Sequence, residues 1–321
     1  MSIRTFIMCI VMSFGFVALA DEDASQSTVK IDDVNGSANK VAGEDVDETL
    51  TNAKLRAETG SKSRFSIATA FSYDGGSLNA PLAAKRPNVQ GVTGATTVAD
   101  LNGTINAKYN ITQKDSLLVG GGLRWVTPLQ GSQRPEGYNG QMFDVFDPSI
   151  NYQRIYKIGS IQSYFQVGPT FYTRTNLTGE GYIANFGIYN VNAYDIGTSG
   201  ITVGLESGAS MGFYKPPAAY NGMSADDVRD DESDYNGFLY PYLEYQITDK
   251  INFRTVSFLL SYEHTRLHAM NTFRQDKVIQ SAGIGFSITR DVFLYPNIQF
   301  VPDQLRPEDT NVGLSANINI F

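Results

Sequence analysis

The two histidines of this 321-residue chain offer its most conventional catalytic chemistry. His264 and His268 share a short stretch with Ser261, Glu263 and Arg266. A serine hydroxyl becomes a nucleophile when a histidine takes its proton, so a hydrolytic site can be built from such residues. Spacing of i and i+4 places both imidazoles on one face only in a helix, however, and this stretch has the pattern of a strand that runs into a loop. We therefore predict no catalytic residues, and a hydrolase is the least favoured function.

An acidic stretch at residues 225–234 has the oxygen ligands that a divalent cation requires. Glu232, Asp234 and Asn236 follow part of the spacing of a calcium loop, but Leu243 stands where the closing glutamate is needed. We interpret the stretch as a solvated loop and predict no metal site. No phosphate-binding motif is found either, so no cofactor is expected.

The first 20 residues have the features of a secretory signal. Arg4 supplies the basic start, residues 5–17 are almost wholly apolar, and Ala18-Leu19-Ala20 fits the small-x-small cleavage pattern. The only cysteine, Cys9, lies inside this segment, so thiol chemistry is not expected after it. Arg4 is its only charged residue, and its removal changes the formal net charge from −8 to −9. Such an acidic balance argues against nucleic acid as a partner.

Residues 21–63 differ from everything that follows them. They are acidic, free of aromatic residues and without a period of two, which is the composition of a low-order tail. Good helix formers between Asp47 and Thr59, followed by Gly60, allow one short helix. A periplasmic linker is the favoured interpretation, and a segment that folds into or under a barrel lumen is the alternative.

Residues 64–321 contain twelve segments with the alternation typical of strands. The connections between them alternate between long and short, and the last strand, Val312 to Phe321, runs to the end of the chain. An even number of strands with loops sorted in this way predicts an all-β fold, a transmembrane antiparallel up-and-down barrel. The predicted segments are 64–74, 98–111, 116–126, 145–157, 160–174, 185–196, 200–214, 237–248, 251–264, 276–289, 291–300 and 311–321.

One face of most predicted strands is apolar and the other is rich in Asn, Ser, Thr and Gln, which suits lipid outside and water inside. In the ninth segment, Phe253 and Val256 are both apolar, and we predict a bulge near Thr255 that lets them share a face. Charged residues on the inward faces are candidates for lining the lumen. They are Lys108, Arg124, Glu206, Glu244 and Glu263.

Aromatic residues are concentrated near the predicted strand ends, where amphipathic rings suit the two membrane interfaces. Those towards the long loops include Trp125, Phe171, Phe213 and Tyr262, and those towards the short turns include Tyr109, Tyr245 and Phe321.

With its signal, even strand number, short turns and a final strand that ends in Phe321, the chain resembles the bacterial outer-membrane β-barrel superfamily, of the porin-like kind. The resemblance covers residues 64–321. It implies an integral outer-membrane protein with both ends of the chain periplasmic. It also implies contact with outer-membrane lipid and lipopolysaccharide, and recognition of the last strand by the barrel-assembly machinery.

Besides the rim hydrolase considered above, two functions fit this architecture. A porin-like channel for the passive passage of small hydrophilic solutes is favoured, because the inward face is hydrophilic. The alternative is a closed structural or surface-interaction barrel that acts through its long extracellular loops. Twelve strands do not decide between them, since that number lies between filled eight-stranded barrels and open sixteen-stranded porins.

Overall fold

The computed structural model describes residues 46–89, 97–130, 135, 138, 140–265, 274–275 and 278–320. The predicted signal, residues 21–45 of the acidic tail, His268 and Phe321 lie outside the described residues. The predictions made for them stay predictions.

The described residues form twelve antiparallel strands, two of which are interrupted, and the sheet closes because β1 pairs with β14. The predicted β-barrel of about twelve strands is thereby confirmed. The ninth strand consists of β9 and β10, and the tenth of β11 and β12. The segments are β1 (Phe65–Ser77), β2 (Asp100–Asn110), β3 (Asp115–Val126), β4 (Phe143–Ile158), β5 (Ile161–Phe171), β6 (Tyr182–Asp195), β7 (Ile201–Tyr214), β8 (Ser233–Thr248), β9 (Ile251–Phe258), β10 (Leu260–Thr265), β11 (Arg274–Gln275), β12 (Ile279–Thr289), β13 (Val292–Phe300) and β14 (Asn311–Ile320).

The connections are sorted by length as the sequence predicts. Neighbouring strands are joined at one end of the barrel by turns of two to five residues, and at the other end by longer connections. Gly159, Gly197 and Gly200 lie in two of the short turns with φ of 58°, 54° and 73°, a conformation that glycine adopts without steric cost. We call the two ends of the barrel the short-turn end and the long-loop end.

The ninth strand changes phase at Leu259, and the bulge predicted near Thr255 is wrong. Alternation continues through Thr255, so Val256 is buried towards the interior and not on the outer face. After Leu259, β10 pairs with a different part of β8, and Leu260 lies opposite the outward Leu239.

In the described part of the chain, four short helices accompany the barrel: α1 (Val46–Thr49), α2 (Ala53–Thr59), α3 (Thr175–Gly179) and α4 (Ala225–Asp231). The last lies in the acidic stretch interpreted above as a loop. It begins with a capping box in which Ser224 and Asp227 satisfy each other's backbone N–H groups. Among the described residues, no helix is long and apolar enough to cross a membrane.

Candidate functional site in the barrel lumen

The segment before the first strand lies inside the barrel at its short-turn end. We call residues 47–62, which include α2, the plug segment. Its helix begins at Asn52, whose side chain accepts a hydrogen bond from the Leu55 amide (3.0 Å), and ends at Gly60 with φ of 85°. The sequence left open whether this segment is a linker or enters the lumen, and the contacts below place residues 47–62 within the lumen.

Strand residues next to the short turns hold the plug segment through its backbone. Gln162, at the start of β5, accepts hydrogen bonds from the amides of Thr51 (2.8 Å) and Asn52 (3.0 Å). Gln153 donates to the Thr59 carbonyl (3.0 Å). Arg290, in the turn before β13, donates to the Gly60 carbonyl (2.8 Å). Lys108 and Asn319 donate to the carbonyls of Thr59 and Ala57 respectively.

Apolar side chains of the plug segment are buried against the inner face of the barrel wall. Leu50 and Leu55 are fully buried, and Ala57 is buried against Phe293 and Tyr295. Burial of a leucine side chain stabilises by about 1.5–3 kcal/mol. The wall residues in contact with the two leucines' cluster are Ile155, Tyr164, Val191, Ala193, Tyr242 and Val256.

A network of charges joins the plug segment to strands β7, β8 and β9. The Lys54 ammonium lies 3.0 Å from Glu206 and 3.2 Å from Glu58 on the same helix. Arg254 is buried and lies 2.6 Å from Glu206, and it also pairs with Glu244. Such charges are tolerated in a buried setting only because each has an opposite partner.

Two further contacts extend this network. The Asn52 side-chain amide donates to Glu244 (2.7 Å), and the Arg254 guanidinium lies over the ring of Tyr242, 4.2 Å from its centroid. Burial lowers the pKa of Lys54, but the Glu206 and Glu58 carboxylates outweigh burial, and the pKa lies above its ordinary value of 10.5. Lys54 is therefore a cation at neutral pH.

Two cavities lie in the lumen on the side of the plug segment that faces the long loops. The first has a volume of about 330 Å³ and is lined by polar residues of β2 and β4 to β8. The second has a volume of about 300 Å³ and lies over Lys54 and Glu58. Tyr189 lines both. The lumen thus holds solvent-sized space above a filled short-turn end.

The five predicted lumen residues lie at different depths. Lys108, Glu206 and Glu244 contact the plug segment, as described above. Arg124 lies near the long-loop end, where its Nε is 2.6 Å from Asp100. Glu263 is half-buried on β10, opposite Asn236 of β8, and the structure does not bring it to the plug segment.

Lys54, Asn52 and Arg254 belong to this site but were not among the predicted residues. Alternation through β9 places Arg254 inside, and the predicted bulge near Thr255 obscured that signal. Asn52 carries the signal of a helix N-cap, because Leu55 and two alanines follow it. No pattern in the sequence pairs Lys54 with Glu206, which lies 152 residues away.

The predicted interface aromatics lie as follows. Trp125, Phe171 and Phe213 are exposed near the long loops, and Tyr245 is exposed near a short turn. Tyr109 is half-buried at the short-turn end, with its ring centroid 5.0 Å from that of Phe65, and Tyr262 is half-buried on β10.

Of the two histidines, the structure describes only His264. His264 is buried, and its Nδ1 lies 3.5 Å from an oxygen of Asp234. The ring of Tyr235 packs beside it, with centroids 6.1 Å apart. Within the described ranges, no three His, Cys, Asp or Glu side chains are placed to hold a metal ion. That the protein is not an enzyme stays a prediction.

Solved structures of outer-membrane barrels are similar to this chain. An outer membrane channel from Pseudomonas putida F1 matches with a TM-score of 0.49 and 10% identity, over 81% of this chain and 97% of that one. The NanC porin matches with a TM-score of 0.43 and 10% identity, over 79% and 98%. The outer membrane phospholipase A from Escherichia coli matches with a TM-score of 0.37 and 9% identity, over 79% and 92%.

The fold is similar to that of porin-like outer-membrane barrels. No protein-family model and no curated protein sequence matches the chain.

Proposed function

We propose that this protein is an outer-membrane channel for small hydrophilic solutes and that the plug segment closes its periplasmic end. The observation that carries the proposal is the position of residues 47–62. They fill only the short-turn end, while polar cavities remain between them and the long loops. Lipid contact is provided by the outward face, where Val119, Ile150 and Ile188 are exposed. Short turns are periplasmic in barrels of this class.

The contacts of the plug segment support a closure that can be released. Its only described covalent link to the barrel is through Lys62 and Ser63 into Arg64 and β1, so the helix is not part of the hydrogen-bonded sheet. Many of its contacts are ion pairs and hydrogen bonds, which water can replace at a net cost of about 0.5–1.5 kcal/mol each.

Single-channel recording from the full-length protein in planar bilayers tests the proposal. In Lys54→Glu, a carboxylate faces Glu206 and Glu58, and repulsion should displace the plug segment. We expect at least a tenfold higher open probability than in the wild type. Lys215→Glu makes the same charge change at an exposed position outside the lumen and should behave like the wild type. The proposal would be contradicted if neither the folded wild type nor folded Lys54→Glu showed conductance steps.

A closed barrel that meets outside partners through its long loops is the second candidate. The buried packing of Leu50 and Leu55 favours it, because a large apolar contact resists opening. If the barrel is closed, neither the wild type nor the Lys54→Glu variant conducts, and the substitution lowers only the stability of the barrel. Recognition by the barrel-assembly machinery through β14, and contact with lipopolysaccharide at the long-loop end, are compatible with both candidates.

A further inference from the structure

The larger lumen cavity has a wall without charge. It has a volume of about 330 Å³, and none of the described residues that line it is ionisable at neutral pH. Hydroxyl and amide side chains predominate instead, and those used in the argument come from the five neighbouring strands β4 to β8. The residues used in the argument are Ser149, Asn151, Gln166, Asn185, Ser210 and Asn236.

These polar side chains are held in place by one another and retain hydrogen-bonding capacity. Asn185 donates to the Ser210 hydroxyl (3.1 Å), which donates to the side-chain oxygen of Asn236 (2.8 Å). Asn151 donates to Ser149 (3.2 Å). An amide has two N–H donors and an oxygen with two lone pairs, so one bond leaves most of each group for a ligand. The wall can therefore both donate to and accept from a hydroxyl group.

A row of aromatic rings borders the cavity on the side of the plug segment. The ring centroids of Tyr189 and Phe238 are 6.2 Å apart, those of Phe238 and Tyr240 are 4.5 Å apart, and those of Tyr240 and Phe258 are 4.8 Å apart. All four rings are half-buried, and Tyr189 and Phe238 line the cavity itself. Half-buried rings beside open space leave aromatic surface for a bound molecule.

The charged residues named elsewhere in the lumen lie in ion pairs, with one carboxylate in excess beside the second cavity. Beside the second cavity, Lys54 and Arg254 pair with Glu58, Glu206 and Glu244. Near the long loops, Arg86 lies 3.3 Å from Asp74, and Arg124 lies 2.6 Å from Asp100. Pairing weakens the field of these groups at a distance, so they exert little pull on a solute in the first cavity.

We propose that the cavity binds neutral carbohydrate as the solute class of the channel. Sugars present C–H groups that pack on the electron-rich faces of aromatic rings, and hydroxyl groups that both donate and accept hydrogen bonds. The cavity has both surfaces and no charge to select an acidic or basic sugar. Its volume falls within the range of about 300–1,000 Å³ that is usual for small-molecule sites. The inference deepens the proposed function and rests on it.

Calorimetric titration of the full-length, detergent-folded protein tests the inference, since the cavity lies on the open side of the plug segment. The probes are a neutral glucose trisaccharide and a galacturonic acid trisaccharide of equal length. We expect the neutral sugar to bind at least tenfold more tightly than the acid. Phe238→Ala should weaken binding of the neutral sugar tenfold or more, and Phe238→Tyr should retain it within about threefold, because a ring face is kept.

Leu239→Ala is the matched control, because this neighbour on β8 is exposed on the outward face. It should bind the neutral sugar as the wild type does. Equal affinity for both trisaccharides, no binding of the neutral one, or an unchanged affinity in folded Phe238→Ala would overturn the inference. Bilayer recordings on the same preparations separate the two proposals. Conductance without binding of the neutral sugar would support the channel and contradict only the proposed solute class.

Discussion

Arg254 is the residue on which the charges of the lumen depend most. It is 1% exposed and is the common partner of Glu206 and Glu244, whereas each carboxylate also has a partner on the plug segment. Removing one member of a buried ion pair leaves the other charge buried without compensation. For this reason, we expect substitution of Arg254 to lower the stability of the protein more than substitution of any predicted lumen residue whose contacts are described.

We expect Arg254→Met to lower the free energy of unfolding by about 3–5 kcal/mol, because two buried carboxylates lose their shared cation. Urea-induced unfolding of the protein in phospholipid vesicles measures the change. Arg154→Met is the control, since Arg154 is 54% exposed in its pair with Asp115 and its loss should leave the free energy of unfolding nearly unchanged. Adding Glu206→Gln and Glu244→Gln to Arg254→Met should recover part of the loss. Equal effects of the two arginine substitutions would contradict this account.

The residues of the site could be predicted only where strand alternation decides their direction. Lys108, Glu206 and Glu244 follow from it, and Arg254 follows once no bulge is introduced at Thr255. The partners on the plug segment could not be predicted in this way. The distance from Lys54 to Glu206 depends on the width of the closed barrel and on the register of β6 with β7, and neither is encoded in a local pattern.

At the scale of elements, the strands were predictable because one environment covers each face over ten residues or more. Strand β6 shows the limit of this rule, since Asn190 and Asn192 lie on its outward face among apolar residues. Their side-chain oxygens accept hydrogen bonds from Tyr156 of β4 (3.0 Å) and Ser163 of β5 (2.8 Å). Satisfied amides of this kind interrupt the apolar pattern without breaking the strand.

Helix α2 has a cap residue with two tasks. The Asn52 oxygen accepts from the Leu55 amide, and its nitrogen donates to Glu244. Aspartate caps helices as well as asparagine does, but it cannot donate and brings a negative charge to Glu244. The two tasks can therefore be separated by substitution at this single position.

We expect both Asn52→Asp and Asn52→Ala to loosen the plug segment, with Asn52→Asp at least as disruptive as Asn52→Ala. Loss of the cap costs about 1 kcal/mol in the alanine variant, and like charges replace the lost bond in the aspartate variant. Amide hydrogen exchange over residues 53–59 measures the loosening. Wild-type protection in Asn52→Asp, combined with lost protection in Asn52→Ala, would mean that Asn52 acts only as a cap.

At the scale of the whole molecule, the barrel separates two media across a wall one residue thick. Pairing of β1 with β14 closes the sheet, and the backbone groups of these two strands are thereby satisfied where the wall faces lipid. The side chains of adjacent residues in one strand then face different media. Ile150 and Asn151 of β4 show the contrast, because the first is 45% exposed on the outer surface and the second lines the lumen cavity.

This contrast predicts that an arginine destabilises the protein at position 150 and is tolerated at position 151. Ile150→Arg places a charge on the outer wall, where Ile150 pairs with Val119, and should lower the free energy of unfolding in vesicles by about 2–4 kcal/mol. Asn151→Arg places the same charge in the wet lumen and should cost less than about 1 kcal/mol. Urea titrations in vesicles measure both. Because the cost at position 150 comes from lipid, transfer to a short-chain detergent should reduce it, whereas a cost that persists unchanged in detergent would show that the outer face of β4 is not a lipid surface.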